Sequence, residues 1–347
     1  MATKNWNAGI IRPVPVAPAG PYQDGAAPGV WTLDQAAYWQ KQGLWPIAGN
    51  VNTSDRGLFG GGYAADYSNV IDYVVISTTG NAADFGDLSQ AKTQAGACAS
   101  VTRGVWGGGG FSGTNVNNVI DYVTFATTGN ASDFGDLTAG RGALSGLSNS
   151  TRGVFSGGVD ASTYVATIDY VTIASTGNAT SFGNLYTGLA GTAACSSPTR
   201  GVISGGRDNT LSGVNVLQYI TIASTGNATD FGDLYNGTYW LQAACSSSTR
   251  GVFFGGVGSG GGASTQIQYI TIATTGNAVD FGSLSSATQR WGGCSNNVRG
   301  IAGGGDGPTN AIIYVTIATT GNSSSFGQLT VSRSGTGACS GSGGGLQ

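Results

Sequence analysis

The sequence predicts an all-β fold: a six-bladed β-propeller built of four-stranded blades. Three observations predict it. First, one unit recurs along most of the chain: an Arg-Gly pair stands at Arg56, Arg103, Arg152, Arg200, Arg250 and Arg299, with 47 to 50 residues between successive pairs. Second, every unit carries the same four short segments rich in β-branched, aromatic and small residues, in the same order. Third, the first of these segments is poorly matched before the first unit (Gly49-Asn50-Val51-Asn52) and reappears after the last one (Gly337-Ala338-Cys339-Ser340). The C-terminal copy is therefore expected to supply the missing strand of the first blade, so that the two ends of the chain clasp the ring.

Taken in order, residues 1–28 carry Pro13, Pro15, Pro18, Pro21 and Pro28. Proline removes donors and favours extended backbone, which makes this stretch an extended arm. Over 29–48, Thr32 and Gln35 have capping-box spacing and Gly43 is a C-terminal stop, which predicts one short helix. Trp31, Trp39 and Trp45 crowd this segment, either packing on the neighbouring body or docking on a partner. The propeller is assigned to 49–347.

Within each unit, strand a is a small-residue segment such as Ala243-Ala244-Cys245-Ser246. Strand b follows the Arg-Gly pair and ends in glycines, as in Gly251-Val252-Phe253-Phe254-Gly255-Gly256. Strand c opens on a recurring tyrosine (73, 122, 170, 219, 269, 314), and the Gly-Asn beyond it marks a turn. Strand d holds a recurring Phe (85, 134, 182, 231, 281, 326) followed three residues on by Leu. The recurring arginine is expected to bond backbone carbonyls or an Asp between blades, since charge is otherwise rare.

Composition excludes several functions. Only 9% of the 347 residues are charged and the net charge is −3, without a basic cluster, so no nucleic-acid footprint is expected. No apolar run approaches the roughly 20 residues of a membrane span, and the N-terminus lacks a signal-peptide pattern. The chain contains no histidine, which removes Ser-His-Asp and Cys-His nucleophile systems and the commonest metal ligand. No catalytic residue, cofactor or metal is expected. The recurring Asp pairs (84/87, 133/136, 230/233) resemble a Ca²⁺ pattern, but Ser181/Asn184 and Ser325/Gln328 replace them without disturbing the repeat, so capping of turns is the better account. Five cysteines (98, 195, 245, 294, 339) at equivalent places in separate repeats are expected to be small buried thiols.

In a four-stranded meander the b–c and d–a connections leave on one face, and the a–b and c–d connections on the other. The a–b and c–d links are nearly constant here, whereas b–c and d–a vary throughout. A uniform face and a varied face suit a scaffold that carries a recognition surface. The varied connections hold Tyr164, Tyr186, Tyr235, Tyr239, Trp240 and Trp291 together with Arg141, Arg207, Arg290 and Arg333. Of these, Tyr164, Tyr186, Arg207, Tyr235, Tyr239, Trp240, Arg290 and Trp291 are the ligand-binding candidates, because exposed aromatic rings suit sugar or protein surfaces.

The glycine doublet of strand b, the tyrosine of strand c and the later aromatic resemble the kelch repeat, although that aromatic is Phe rather than Trp. The segment GVWTLDQAAYWQKQGLWP (29–46) and the tandem repeats, of consensus DYVTIATTGNATDFGDL and STRGVFGGG, are similar to those of virion structural proteins of tailed bacteriophages, especially of cyanobacteria and marine bacteria. That resemblance implies a protein assembled in the host cytoplasm and anchored in the virion through its N-terminal arm. It further implies a propeller, present in many copies in a symmetric assembly, that projects from tail or capsid for attachment to a host-surface glycan or receptor or for particle decoration. A free-standing lectin-like or protein-interaction propeller is the alternative; both readings are non-enzymatic.

Overall fold

The computed structural model describes residues 5–6, 9–10, 55–110, 116–235, 242–258 and 260–342. The chain divides into Met1–Asn52 and Thr53–Gln347. In the first unit, Asn5–Trp6 and Gly9–Ile10 pair antiparallel. The remainder of the expected arm and the whole expected helix, with Trp31, Trp39 and Trp45, lie outside the described residues.

The second unit is the predicted propeller: six four-stranded antiparallel sheets, each a meander of strands a to d. Blade 4 shows the pattern, with a at Ala193–Ser196, b at Arg200–Ser204, c at Val216–Thr221 and d at Thr229–Asp233. Blade 1 closes the ring. Its strand a is Gly337–Ser340, which pairs with Arg56–Gly60 and places Cys339 opposite Leu58. Strand d of blade 5 is longer than those of the other blades and runs over Val279–Thr288, because Thr288 reaches back to pair with Ser264.

The a strands of successive blades pack against one another round the ring and surround its axis. Strands b and c fill the space between blades. Leu58, Val105, Val154, Val202, Val252 and Ile301 of strand b are all fully buried, as is the strand-c Ile at 71, 120, 168 and 267. In each blade the tyrosine of strand c meets the Phe of strand d edge-on, with ring centroids 5.8–6.2 Å apart. Such T-shaped pairs add about 0.5–1.5 kcal/mol beyond their burial.

Candidate functional site

What holds one blade to the next decides which residues remain for recognition. Four devices repeat round the ring. The first uses the arginines. Each guanidinium lies over the tyrosine of its own blade at 4.3–5.0 Å. Its Nη1 then donates across the junction to a carbonyl just past strand c of the following blade. Arg103 reaches Ile173 O at 2.9 Å, Arg250 reaches Ile317 O at 2.9 Å, and Arg299 reaches Ile76 O at 3.0 Å to close the circle. The partners are backbone carbonyls rather than Asp.

The second device explains the glycine of the Arg-Gly pair. The cysteine of strand a packs on that glycine in the next blade: a Cβ on Gly153 would lie 2.5 Å from Cys98 Sγ. In blade 3 the cysteine is replaced by Leu147, and a Cβ on Gly201 would lie 2.6 Å from it. All five thiols are buried and free. Burial pushes each of them well above the usual thiol range, so they persist as neutral packing groups rather than thiolate nucleophiles.

The third device corrects the reading of Gly-Asn as a turn alone. Gly129 N and Ala131 N donate to Phe85 O and Asp87 O on the outermost strand of the preceding blade, each at 2.7 Å, and Asn130 Oδ1 accepts from Asp87 N at 3.1 Å. The same clasp recurs at Asn178, Asn227, Asn277 and Asn322. It covers the otherwise unpaired edge of every blade. It also requires the glycine of each Phe-Gly pair, because a Cβ on Gly232 would lie 2.5 Å from Gly276 O.

The fourth is a serine belt at the uniform-face end of the a strands. Ser148 Oγ donates to Ala99 O at 2.7 Å, Ser196 to Ser148 O at 2.8 Å, Ser246 to Ser196 O at 2.9 Å, Ser295 to Ser246 O at 2.7 Å and Ser340 to Ser295 O at 2.6 Å. Blade 2 has Ala99 in place of a serine, so the belt lacks one link.

These devices occupy the constant a–b and c–d links. The b–c and d–a connections share the other face, as expected: isolated bridges join Tyr63 to Ser334, Gly142 to Val159 and Ala190 to Arg207. Two of the sequence-named cations leave that face altogether. Arg141 and Arg333 are buried, not surface groups, and pair with Asp169 and Asp72 of the following blade at 2.8 and 2.9 Å. Lys92 does the same with Asp121 at 2.8 Å. A hydroxyl three residues before each cation (Ser89, Thr138, Thr330) donates to the same carboxylate. Desolvation lowers the affinity of Arg333 for its proton, and Asp72 opposes that shift.

The remaining candidates divide. Trp291 is only 8% exposed and packs in the core with Phe254 and Val252, so its ring is a wall between blades 5 and 6 rather than a surface aromatic. Arg290 is half-buried and pairs with Asp306 at 3.1 Å. Arg207 Nε donates to Leu211 O at 2.9 Å and braces its own loop. Tyr164 packs on Ala143, Val159 and Ala190, and its backbone is gripped by Asn209 of the next loop. Tyr186 and Tyr235, at equivalent places in blades 3 and 4, are 60% and 45% exposed. The phenol of Tyr186 accepts from Asp230 N at 2.8 Å, which fixes its ring across two blades. Tyr239 and Trp240 lie outside the described residues. Asp160 and Asp208, which turn two of the loops, are held below the usual carboxylate range, Asp160 chiefly by the backbone N–H of Thr163 and Asp208 chiefly by the hydroxyl of Thr210.

Sequence reasoning missed an aromatic pair in the first varied loop. Tyr63, 44% exposed, meets Tyr67 edge-on at 6.0 Å. The loop Tyr63-Ala64-Ala65-Asp66-Tyr67 contains that signal. It also missed the axis. Two cavities lie along it, lined by residues of all six a strands, and they share Ala97, Gly146, Ala194, Ala244, Gly293 and Ala338 as a waist. The cavity at the varied face has a volume of about 100 Å³.

No helix among the described residues is long and apolar enough to cross a membrane. Compared with protein-family models and with curated proteins, the chain matches none.

Proposed function

We propose that this chain is a non-enzymatic binding module. In this reading it is a structural component of a tailed-phage virion, anchored by its N-terminal segment, whose propeller presents the varied face to a host surface or decorates the particle. The observation that carries the binding role is the division of labour between faces. The constant links are consumed by blade–blade junctions, whereas the b–c and d–a connections diverge and expose Tyr63, Tyr186 and Tyr235. Rigid aromatic rings on a fixed scaffold gain contact area at little entropic cost. The missing histidines and the neutral thiols support a role without catalysis. The virion context rests on the resemblance of residues 29–46 and of the repeats.

Two experiments test this. Mass spectrometry of purified particles is expected to find the full chain, and a chain lacking residues 1–46 is expected to be absent from them. Glycan-array and host-cell binding by the full chain is expected to weaken in the Tyr186→Ala/Tyr235→Ala variant. Unaltered incorporation of the truncated chain would defeat the anchoring role. The alternative, a free-standing lectin-like propeller, is favoured by one feature: the chain's own C-terminal strand closes the ring, so the fold needs no partner. Binding without any particle association would select it.

A further inference from the structure

The mouth of the axial channel on the varied face combines two features that stability alone disfavours. The first is a set of orphaned polar atoms. Trp291 Nε1 and Gln94 Oε1 are both buried without a hydrogen-bond partner, and both residues line the same cavity of about 100 Å³. A buried polar atom left unpaired costs about 1–3 kcal/mol, so native proteins rarely retain one without a reason.

The second is backbone strain at the same rim. In the five described links, the residue one or two positions before strand a (Gln94, Ala143, Gly191, Arg290 and Gly335) turns through a left-handed conformation, and backbone bonds tie these turns to one another. Gln94 N donates to Gly335 O at 2.7 Å, Ala143 N to Gln94 O at 3.0 Å, Gly191 N to Ala143 O at 2.8 Å and Gly335 N to Arg290 O at 2.7 Å. Blades 4 and 1 use glycine for this turn (Gly191, φ 67°; Gly335, φ 68°), whereas Gln94 holds φ 52° and Arg290 φ 60°. A side chain there costs about 1 kcal/mol or more, and the two long polar ones both line the cavity.

We infer that this mouth is a binding site for a small, neutral, hydroxylated ligand: the terminal sugar of a glycan. The inference rests on the glycan-binding role proposed above and names its chemistry. The ligand must accept from an indole N–H and donate to an amide oxygen, and each hydroxyl of a sugar does both. It must be uncharged, because Asp306 already offsets the guanidinium of Arg290. The walls at Ala95, Ala143, Ala193 and Ala243 are apolar and suit the C–H face of a pyranose. Below the mouth the cavity narrows to a waist lined only by Ala97, Gly146, Ala194, Ala244, Gly293 and Ala338, which offers a sugar no further polar side chain.

The test uses the full chain and a panel of free glucose, galactose, mannose and N-acetylglucosamine, read by titration calorimetry and by tryptophan fluorescence. Trp291→Phe keeps the packed ring and removes the donor; Gln94→Leu removes the acceptor. Each is expected to weaken binding of the preferred sugar at least tenfold while Tm holds or rises, because an orphaned polar atom has been removed. Loss of binding in Tyr186→Ala/Tyr235→Ala with full binding in Trp291→Phe and Gln94→Leu would overturn this site and leave the varied-face reading standing. Failure of every sugar to bind, with a crystal structure of the full chain showing ordered water only at the mouth, would overturn the site as well. Incorporation into particles reports separately on the virion role.

Discussion

The junctions of this ring come in two chemistries, and they are segregated. Between blades 6 and 1, 1 and 2, and 2 and 3, a buried cation three residues past a Ser or Thr meets a fully buried Asp of the next blade: Arg333–Asp72, Lys92–Asp121 and Arg141–Asp169. On the other half the carboxylate is gone. Gln218 and Gln268 take its place and accept from the backbone N–H of Tyr186 and Tyr235 at 2.8 and 2.7 Å, and between blades 5 and 6 the position is Ile313. At the cation's place, Leu189 stands between blades 3 and 4. The chain thus changes cation and Asp together or not at all, whereas the hydroxyl persists as Ser285 at the junction of blades 5 and 6. An unpaired buried charge costs several kcal/mol, so a half-converted junction is the state to avoid. The same exchange frees the position after the strand-d Leu to be tyrosine, and it is the neutral half that carries the exposed rings of Tyr186 and Tyr235.

The largest expected effect comes from breaking this pairing. Asp169→Ala strands Arg141 and is expected to cost about 3–5 kcal/mol in urea unfolding. Converting that junction whole to its neutral counterpart, with Thr138→Tyr, Arg141→Leu and Asp169→Gln, is expected to retain stability to within about 1 kcal/mol, since a matched neutral contact replaces a matched charged one. A loss in the triple variant as large as in the single one would show that the two chemistries are not interchangeable.

The shared devices should ignore the division. Arg103→Ala, at a charged junction, and Arg250→Ala, at a neutral one, are each expected to lose about 1.5–3 kcal/mol, because both donate to carbonyls of the next blade. A stability-neutral Arg250→Ala would refute the junction role of these arginines. Gly153→Ala and Gly201→Ala are each expected to cost about 1–3 kcal/mol by overpacking on Cys98 and Leu147. Cys98→Ala in the first background should recover part of that loss in a double-mutant cycle, whereas it should recover nothing in the second. The smallest effect is a gain: Ala99→Ser completes the serine belt and is expected to add about 0.5–1.5 kcal/mol, seen as a higher urea midpoint.

Much of this was legible because repetition exposes it. The period of the Arg-Gly pairs and the surplus copy at Gly337–Ser340 define six blades and their closure, and the tyrosine–phenylalanine spacing marks strands c and d. The site was less legible. Arg141 and Arg333 look like loop cations beside Arg207 and Arg290, and only the partner Asp, 28 residues ahead of Arg141 and 261 behind Arg333, reveals them as buried ion pairs. Trp291 looks like a surface aromatic because its link is variable, yet it begins strand a and packs inward. The Gly-Asn pair reads as a turn because its clasp partner lies in the preceding blade, some 43 residues away at Asn130.

The sequence alone determined everything that depends on local pattern: strand identity, blade count, ring closure and the separation of a constant face from a varied one. Each is a property of one unit compared with its copies. The tertiary structure decided what depends on which unit lies beside which. It showed why the glycines of Arg-Gly and Phe-Gly cannot carry a side chain, why cation and Asp change together, and which polar atoms at the axis are left unpaired. Contacts between residues tens to hundreds of positions apart leave no periodic trace in the chain. They arise when closing the ring brings each blade against the next.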